Sequence, residues 1–129
     1  MTDLIRILYV EDDPDIREVA EFALEDEGFE LISCASGQEA LTKAANINVD
    51  LLLLDVMMPG MDGPTTLTKL RELPNTKQTP AIFMTAKVQS SEIAAYLAMG
   101  AIGVITKPFD ALTLAEHIRE LLEKQHGSI

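Results

Sequence analysis

Short apolar runs alternate with amphipathic stretches along the whole chain, and no low-complexity segment or linker interrupts them. Five runs read as strands: Ile5 to Val10, Phe29 to Cys34, Val49 to Leu54, Ala81 to Met84 and Ile102 to Ile105. Most are nearly continuous in leucine or β-branched residues, the pattern of strands buried on both faces. Between them the period becomes helical. Residues 14 to 27 put Ile16, Val19, Ala20, Ala23 and Leu24 on one face and acids on the other, with Gly28 where a C-terminal cap belongs. Ser36 opens a second helix as a capping box with Glu39, Asp62 is placed to cap a third, Ser90 or Ser91 a fourth, and Asp110 a fifth. Strand followed by helix, repeated in this way, predicts an α/β fold: a parallel sheet with right-handed crossovers and helices on both faces.

Composition bounds what such a fold is for. With 129 residues and 47% hydrophobic content, the chain is expected to form one domain over 1–129, its folded part running from about residue 4 to 125. The formal net charge of −11 would repel a phosphate backbone, which argues against direct nucleic-acid binding. A single cysteine, Cys34, rules out an intrachain disulfide and suits a reducing compartment. No apolar run reaches the roughly 18 residues of a membrane span, and Met1-Thr2-Asp3 carries an acid where a signal peptide carries bases. A cytoplasmic protein without membrane insertion is the expectation.

The chemistry should lie where the strands end, because ligands of open α/β sheets gather in the crevice beyond the carboxyl ends of the strands. The first strand runs "ILYV" into Glu11, Asp12 and Asp13, the third runs "LLLL" into Asp55, the fourth runs "IFM" into Thr85, and the fifth runs "VIT" into Lys107. Glu11, Asp12 and Asp55 on one rim are costly unless a cation joins them, since neighbouring carboxylates raise one another's pKa. Oxygen ligands without paired histidine or cysteine favour Mg2+ over zinc, and Mg2+ leaves room for a phosphate oxygen. Phosphoryl chemistry is the natural reading. The other acids, Asp13, Asp15, Asp62 and Asp110, read as helix caps or turn residues. His117 and His126 have no partner ligands nearby in sequence and read as surface residues, and Cys34 reads as a small core residue.

Four stretches, "ILYVEDDPDIRE", "LLLLDVMMPGMDG", "FMTA" and "ITKPF", together resemble the receiver domain of two-component response regulators, in order and at the family's spacing. The resemblance covers essentially the whole chain. It implies a flavodoxin-like (βα)5 fold with strand order 2-1-3-4-5. It further implies that Asp55 takes a phosphoryl group from a phosphohistidine, and that Glu11 and Asp12 hold Mg2+ together with Asp55 and the Met57 carbonyl. Thr85 and Lys107 would bind the phosphoryl oxygens, and the Lys107–Pro108 bond would be cis. The implied partners are a sensor histidine kinase or a histidine phosphotransfer protein, and a downstream protein target on the face of helix 4, strand 5 and helix 5. Two departures stand out. Glu11 replaces the usual aspartate, and Val104 stands where the family usually carries a tyrosine or phenylalanine whose rotation accompanies the threonine's movement. Ile102 and Gly103 likewise replace acids that support salt-bridged dimers in one DNA-binding subfamily.

These features favour a phosphorylation-switched signalling module, working without an attached effector, over two rivals. An aspartate-nucleophile phosphatase needs a second aspartate two residues after the nucleophile, and this chain has Met57 there. The module is therefore expected to catalyse only its own phosphorylation and dephosphorylation. A degenerate receiver that only binds proteins would have lost Asp55, Lys107 or the acidic pair, and all are present.

Overall fold

A computed structural model describes residues 4–86 and 89–127, with side chains through residue 125. The acid at Asp3 and the side chain of His126 lie outside the described residues. Strands β1 (Ile5–Val10), β2 (Phe29–Cys34), β3 (Leu51–Asp55), β4 (Ala81–Thr85) and β5 (Ala101–Thr106) alternate with helices α1 (Pro14–Glu25), α2 (Gly37–Ala44), α3 (Gly63–Leu70), α4 (Ser90–Ala98) and α5 (Leu114–Gly127). The strands form one sheet in the order β2-β1-β3-β4-β5, and every pairing is parallel.

Each central strand is buried on both sides, which explains why its sequence lacks alternation. Leu51 and Leu53 face one way and pack with Ala20 and Leu24 of α1 and with Leu114 and Ile118 of α5. Leu52 and Leu54 face the other way, against Ala40 and Ala44 of α2 and Leu67 and Leu70 of α3. Fully burying a leucine contributes about 1.5–3 kcal/mol, so the "LLLL" run is the clamp between the two helical layers. It also ends on Asp55 at the sheet's carboxyl edge. The register there sets Asp55 beside Met84, one residue before Thr85.

Several boundaries differ from the sequence pattern for identifiable reasons. The third strand begins at Leu51 rather than Val49, because the Asp50 carboxylate accepts the Arg6 amide at 2.8 Å in place of a ladder bond. Ser90 and Ser91 do not cap α4. Both are inside the helix, and the capping position is held by Gln89 without a side-chain hydrogen bond. Asp110 starts a turn instead of capping α5: its carboxylate accepts from the Leu112 amide at 2.9 Å, and the helix begins at Leu114. Val19 was placed on the inward face of α1 but is 47% exposed, because the buried centre of the stripe is Ala20 and Leu24. Helix α1 ends at Glu25 with Asp26 as its cap, and Gly28 lies beyond it with φ of +91° at the turn into β2.

The remaining expectations about single residues hold where they are described. Asp13 caps α1 by accepting from the Asp15 amide at 2.9 Å, Ser36 caps α2 and Asp62 caps α3. Cys34 is buried, His117 is exposed, and the Lys107–Pro108 bond is cis.

Candidate functional site

The carboxyl ends of β1, β3, β4 and β5 deliver the predicted polar residues to one rim. Glu11 follows β1 directly and is fully buried, and Asp55 closes β3 and is 2% exposed. Asp12 is half-buried beside them. One carboxylate oxygen from each of Glu11, Asp12 and Asp55 falls within a cluster no wider than 4.8 Å. The ammonium of Lys107, just past β5, donates to Glu11 Oε1 at 2.8 Å and lies 3.1 Å from Asp55 Oδ1.

Backbone contacts hold these groups in place. The Lys107 amide donates to the Thr85 carbonyl at 2.9 Å, which ties the lysine to the end of β4, where Thr85 itself is buried. The Met57 amide donates to Asp55 Oδ1 at 3.4 Å, while the Met57 side chain is exposed. The second oxygen of Glu11 accepts from the Asp13 amide at 3.2 Å. Each sequence-predicted site residue is therefore at the rim. Their contacts differ in kind, with Lys107 bridging two carboxylates and Met57 contributing backbone beside the third strand.

Two contributors were not foreseen. Arg17, on the first turns of α1, donates to the Glu11 carbonyl at 2.7 Å and fastens the end of β1 to the helix. Gly63, the first residue of α3, donates its amide to Val56 O at 2.9 Å, and a Cβ on it would run into the Asp55 carbonyl and sit 2.9 Å from Val56 Cα. Only glycine lets α3 approach the Asp55 backbone this closely. The "DG" pair carried a signal for a turn, but nothing in the sequence said which backbone the glycine would meet.

The electrostatics of the rim are unbalanced. Burial, then the Glu11 charge, push the Asp55 carboxyl up to about 7, although its bond to Lys107 pulls the other way. Burial pulls the Lys107 ammonium down, but its bonds to Glu11 and Asp55 outweigh this and hold it above the usual lysine value. One ammonium thus does not neutralise three carboxylates. The donor set is all oxygen, buried on two of its three members, with a shortfall of positive charge that a hard divalent cation would fill. The cluster fits such an ion, and an anionic group could join it from solvent once that ion and Lys107 are both in place.

Comparison with known proteins agrees with this geometry. Residues 7–119 match the family model described as the response regulator receiver domain. The transcriptional regulatory protein CpxR of Escherichia coli strain K12 is 39% identical over 123 residues, covering 95% of this chain and 51% of its own. The transcriptional regulatory protein CseB of Streptomyces coelicolor is 36% identical over 124 residues, covering 96% and 52%. The chain thus spans about half the length of these curated relatives. Among solved structures, the chemotaxis response regulator CheY4 of Vibrio cholerae superposes with a TM-score of 0.85 at 31% identity, covering 92% of this chain and 98% of that one. A CheY-like receiver domain protein from Methanospirillum hungatei JF-1 gives 0.84 at 32% identity, covering 98% and 100%.

Proposed function

The chain belongs to the response regulator receiver family of two-component systems, and on that premise we propose that Asp55 is its phosphoacceptor, loaded in a Mg2+-dependent reaction from a phosphohistidine. The observation that carries this reading is the cluster of Glu11, Asp12 and Asp55 within 4.8 Å, bridged on one side by Lys107. Glu11, Asp12, Asp55 and the Met57 carbonyl would hold the metal. When bound, Mg2+ supplies charge for a loose phosphoryl transition state and lowers the repulsion between Asp55 and its donor.

The chain's own residues supply the rest. Asp55 attacks phosphorus as a carboxylate, so it must be ionised. Its proton affinity, raised to about 7 by burial and Glu11, keeps it partly neutral near neutral pH until more positive charge arrives. Lys107 stands within bonding reach of Asp55 and carries its charge on a flexible stem, so it can follow an oxygen onto the transferred group. Thr85, buried at the end of β4 and joined to Lys107 through the backbone, would bind a phosphoryl oxygen and shift with it. Phosphorylation replaces one negative charge with roughly two.

The donor on this reading is a sensor histidine kinase or a histidine phosphotransfer protein, which makes the cytoplasm the site of action. No described helix is long and apolar enough to cross a membrane. Output passes to a downstream protein at the face of α4, β5 and α5. The module is a signalling domain that turns over only its own acyl phosphate.

Incubation with acetyl phosphate and Mg2+ tests the assignment. The native chain should gain one phosphoryl mass, and Asp55→Asn should gain none. Chelation of the metal should abolish labelling, whereas Lys107→Ala should retain some labelling and lose the conformational response. Undiminished labelling of Asp55→Asn would sink the proposal.

A further inference from the structure

One polar group in the core has no use so far. Tyr9 lies on β1 near the centre of the sheet, pairs in register with Ser33 of β2 and Leu53 of β3, and is fully buried in the cluster that includes Ala20, Leu24, Met84 and Ile105. Among the described residues, its hydroxyl is the one buried side-chain polar atom that finds no hydrogen-bond partner in the chain. A buried tyrosine ordinarily sets its hydroxyl against an acceptor, because a polar group taken out of water and left unbonded is destabilising. Phenylalanine would fill the same space without that penalty, so the hydroxyl needs a reason of its own.

Three carboxylates bear on it. After burial, the charges of Glu11, Asp55 and Glu21, in that order, push the Tyr9 pKa up from the ordinary tyrosine value, so the group stays an O–H donor. Glu11 comes first for a structural reason. Its amide donates to the Cys34 carbonyl at 3.0 Å, which carries the β1–β2 ladder one residue past Val10 and sets Glu11 on the same face as Tyr9. In the resting chain both Glu11 oxygens are taken, Oε1 by Lys107 Nζ at 2.8 Å and Oε2 by the Asp13 amide at 3.2 Å. Glu11 has no need of Tyr9 while the ammonium stays. The need arises when it leaves, because Glu11 is fully buried and a carboxylate there without its charged donor is strongly disfavoured. Neither of the other carboxylates is exposed to that loss. Asp55 lies 3.1 Å from the same ammonium and would keep it through its phosphoryl group, and Glu21 is half-buried and already accepts from Ser33 Oγ.

We propose that Tyr9 is a positioning residue for the acidic rim, its hydroxyl a reserve donor that takes over Glu11 when Lys107 turns to the phosphoryl group on Asp55. The exchange rests on the phosphoacceptor reading, whereas the pairing of Tyr9 with Glu11 depends only on removal of the ammonium from Glu11. The hydroxyl donates to the carboxylate and keeps its proton, so only hydrogen bonds change. Glu11 stays oriented toward the metal while the lysine is away. A hydroxyl unpaired in the resting chain and paired in the loaded one also biases the protein toward the loaded arrangement.

A carbon-13 label on the hydroxyl-bearing ring carbon of tyrosine reads the exchange, since the chain has two tyrosines, Tyr9 and Tyr96, and Tyr96→Phe identifies their resonances. In the native metal-free chain the Tyr9 signal should sit at the position of an unbonded hydroxyl, and Mg2+ with beryllofluoride should move it to that of a donor. Lys107→Ala should move it to the same place with no ligand added, because the ammonium is gone from Glu11. Metal-free Tyr9→Phe should unfold at the native denaturant concentration or above it, yet bind Mg2+ with beryllofluoride at least fivefold more weakly. Combining Tyr9→Phe with Lys107→Ala should destabilise the chain by more than the two single changes together. A Tyr9 signal unmoved in Lys107→Ala would overturn the proposal whether or not beryllofluoride binds. So would a response in Lys107→Ala that Glu21→Gln removes, which would give the hydroxyl to Glu21, and so would a native metal-free signal already at the donor position, which would put a water on it. Failure of the Asp55 assignment alone looks different: beryllofluoride leaves the resonances around Asp55 unmoved in the native chain while Lys107→Ala still shifts Tyr9, which keeps the pairing with Glu11 and removes only its trigger.

Discussion

Helices α1 and α4 flank the same rim and both show apolar side chains to solvent, yet they are attached to the sheet in opposite ways. Helix α1 buries Ala20 and Leu24 completely, is capped by Asp13 through two amides, holds the Glu11 carbonyl through Arg17, and bonds β2 through a Glu21–Ser33 hydrogen bond of 2.5 Å. Helix α4 buries no residue, and its capping position makes no side-chain bond. It rests on half-buried Ile93 and Tyr96, the latter tilted against Phe83 of β4 with ring centroids 5.0 Å apart. Exposed apolar surface therefore means different things at the two places. On α1 it is a fixed shape, held in place by the helix's buried anchors. On α4 it belongs to an element that shifts at low cost, and low local stability is what moving elements require. On the proposed function, phosphorylation at Asp55 would need only to bias the position of α4, with no large change in the core.

Cutting the anchors should expose the contrast most strongly. Leu24→Ala removes a fully buried side chain between α1 and the sheet, and should cost about 2–5 kcal/mol in denaturant unfolding. Leu97→Ala on α4, where the leucine is 46% exposed, should stay within about 0.5 kcal/mol. Similar losses for the two variants would mean that α4 is anchored as firmly as α1.

The second prediction concerns the rim between the helices and its pH dependence. A carboxyl that is near pKa 3.9 in the unfolded chain and at about 7 in the folded one binds its proton more tightly when folded. Stability of the metal-free protein should therefore fall as pH rises from about 4 to about 7 and then level off, as the folded state is forced to ionise. Asp55→Asn should be more stable than the native chain at pH 8 and lose most of that advantage at pH 5. Mg2+ at ten times its Kd should restore about 1.4 kcal/mol to the native chain at pH 8 and much less to the variant. A native stability that rises over this range would contradict the raised carboxyl.

How much of this was legible beforehand depended on whether one strand or two elements set the feature. The strand ends were readable because a strand buried on both faces is a continuous apolar run, so the first polar residue after "LLLL" or "ILYV" marks the sheet's edge. That rule places Glu11, Asp12, Asp55 and Lys107 at the rim from the sequence alone. Periodicity says which side of α1 is apolar but not where the buried centre lies, so it turns Val19 inward and is silent on Phe22. Two caps were misassigned because the chain enters the helix elsewhere: α4 starts at Ser90 itself, with Gln89 in the capping position, and α5 starts only at Leu114, beyond the turn that Asp110 opens. Gly63 was invisible as a site residue because its role depends on the Asp55 backbone of another element. The phosphoacceptor reading drew on both sources, since residues suggested metal and phosphate, and only the family resemblance assigned the nucleophile.

Caps offer a smaller test of the same contrast. Asp13 accepts from two backbone amides at the start of α1, and Asp13→Ala should cost about 1 kcal/mol. Gln89→Ala at the start of α4 removes no capping bond and should be neutral within a few tenths of a kcal/mol. The two unfolding midpoints, measured side by side, decide it, and a loss at Gln89 equal to that at Asp13 would count against a loosely held α4.

The most local expected effect lies at the ring contact that holds α4 to β4. Val104 is too small to act as the aromatic that usually accompanies a moving threonine, and in this chain Val104 pairs in register with Phe83, whose ring meets Tyr96. Phe83 lies two residues before Thr85, so a displacement at the end of β4 reaches α4 through this pair. Aromatic pairs contribute about 0.5–1.5 kcal/mol beyond the area they bury, so Tyr96→Leu should lower global stability by no more than about that amount. The informative change is local. Beryllofluoride with Mg2+, mimicking the phosphoryl group on Asp55, should shift the backbone resonances of both the rim and residues 90–98 in the native chain. In Tyr96→Leu the shifts around Asp55 should persist while those across α4 shrink by about half, as expected when a contact between two arrangements is weakened rather than removed. Shifts in α4 of undiminished size would show that the coupling runs through the backbone after Thr85, and that Tyr96 only covers the core.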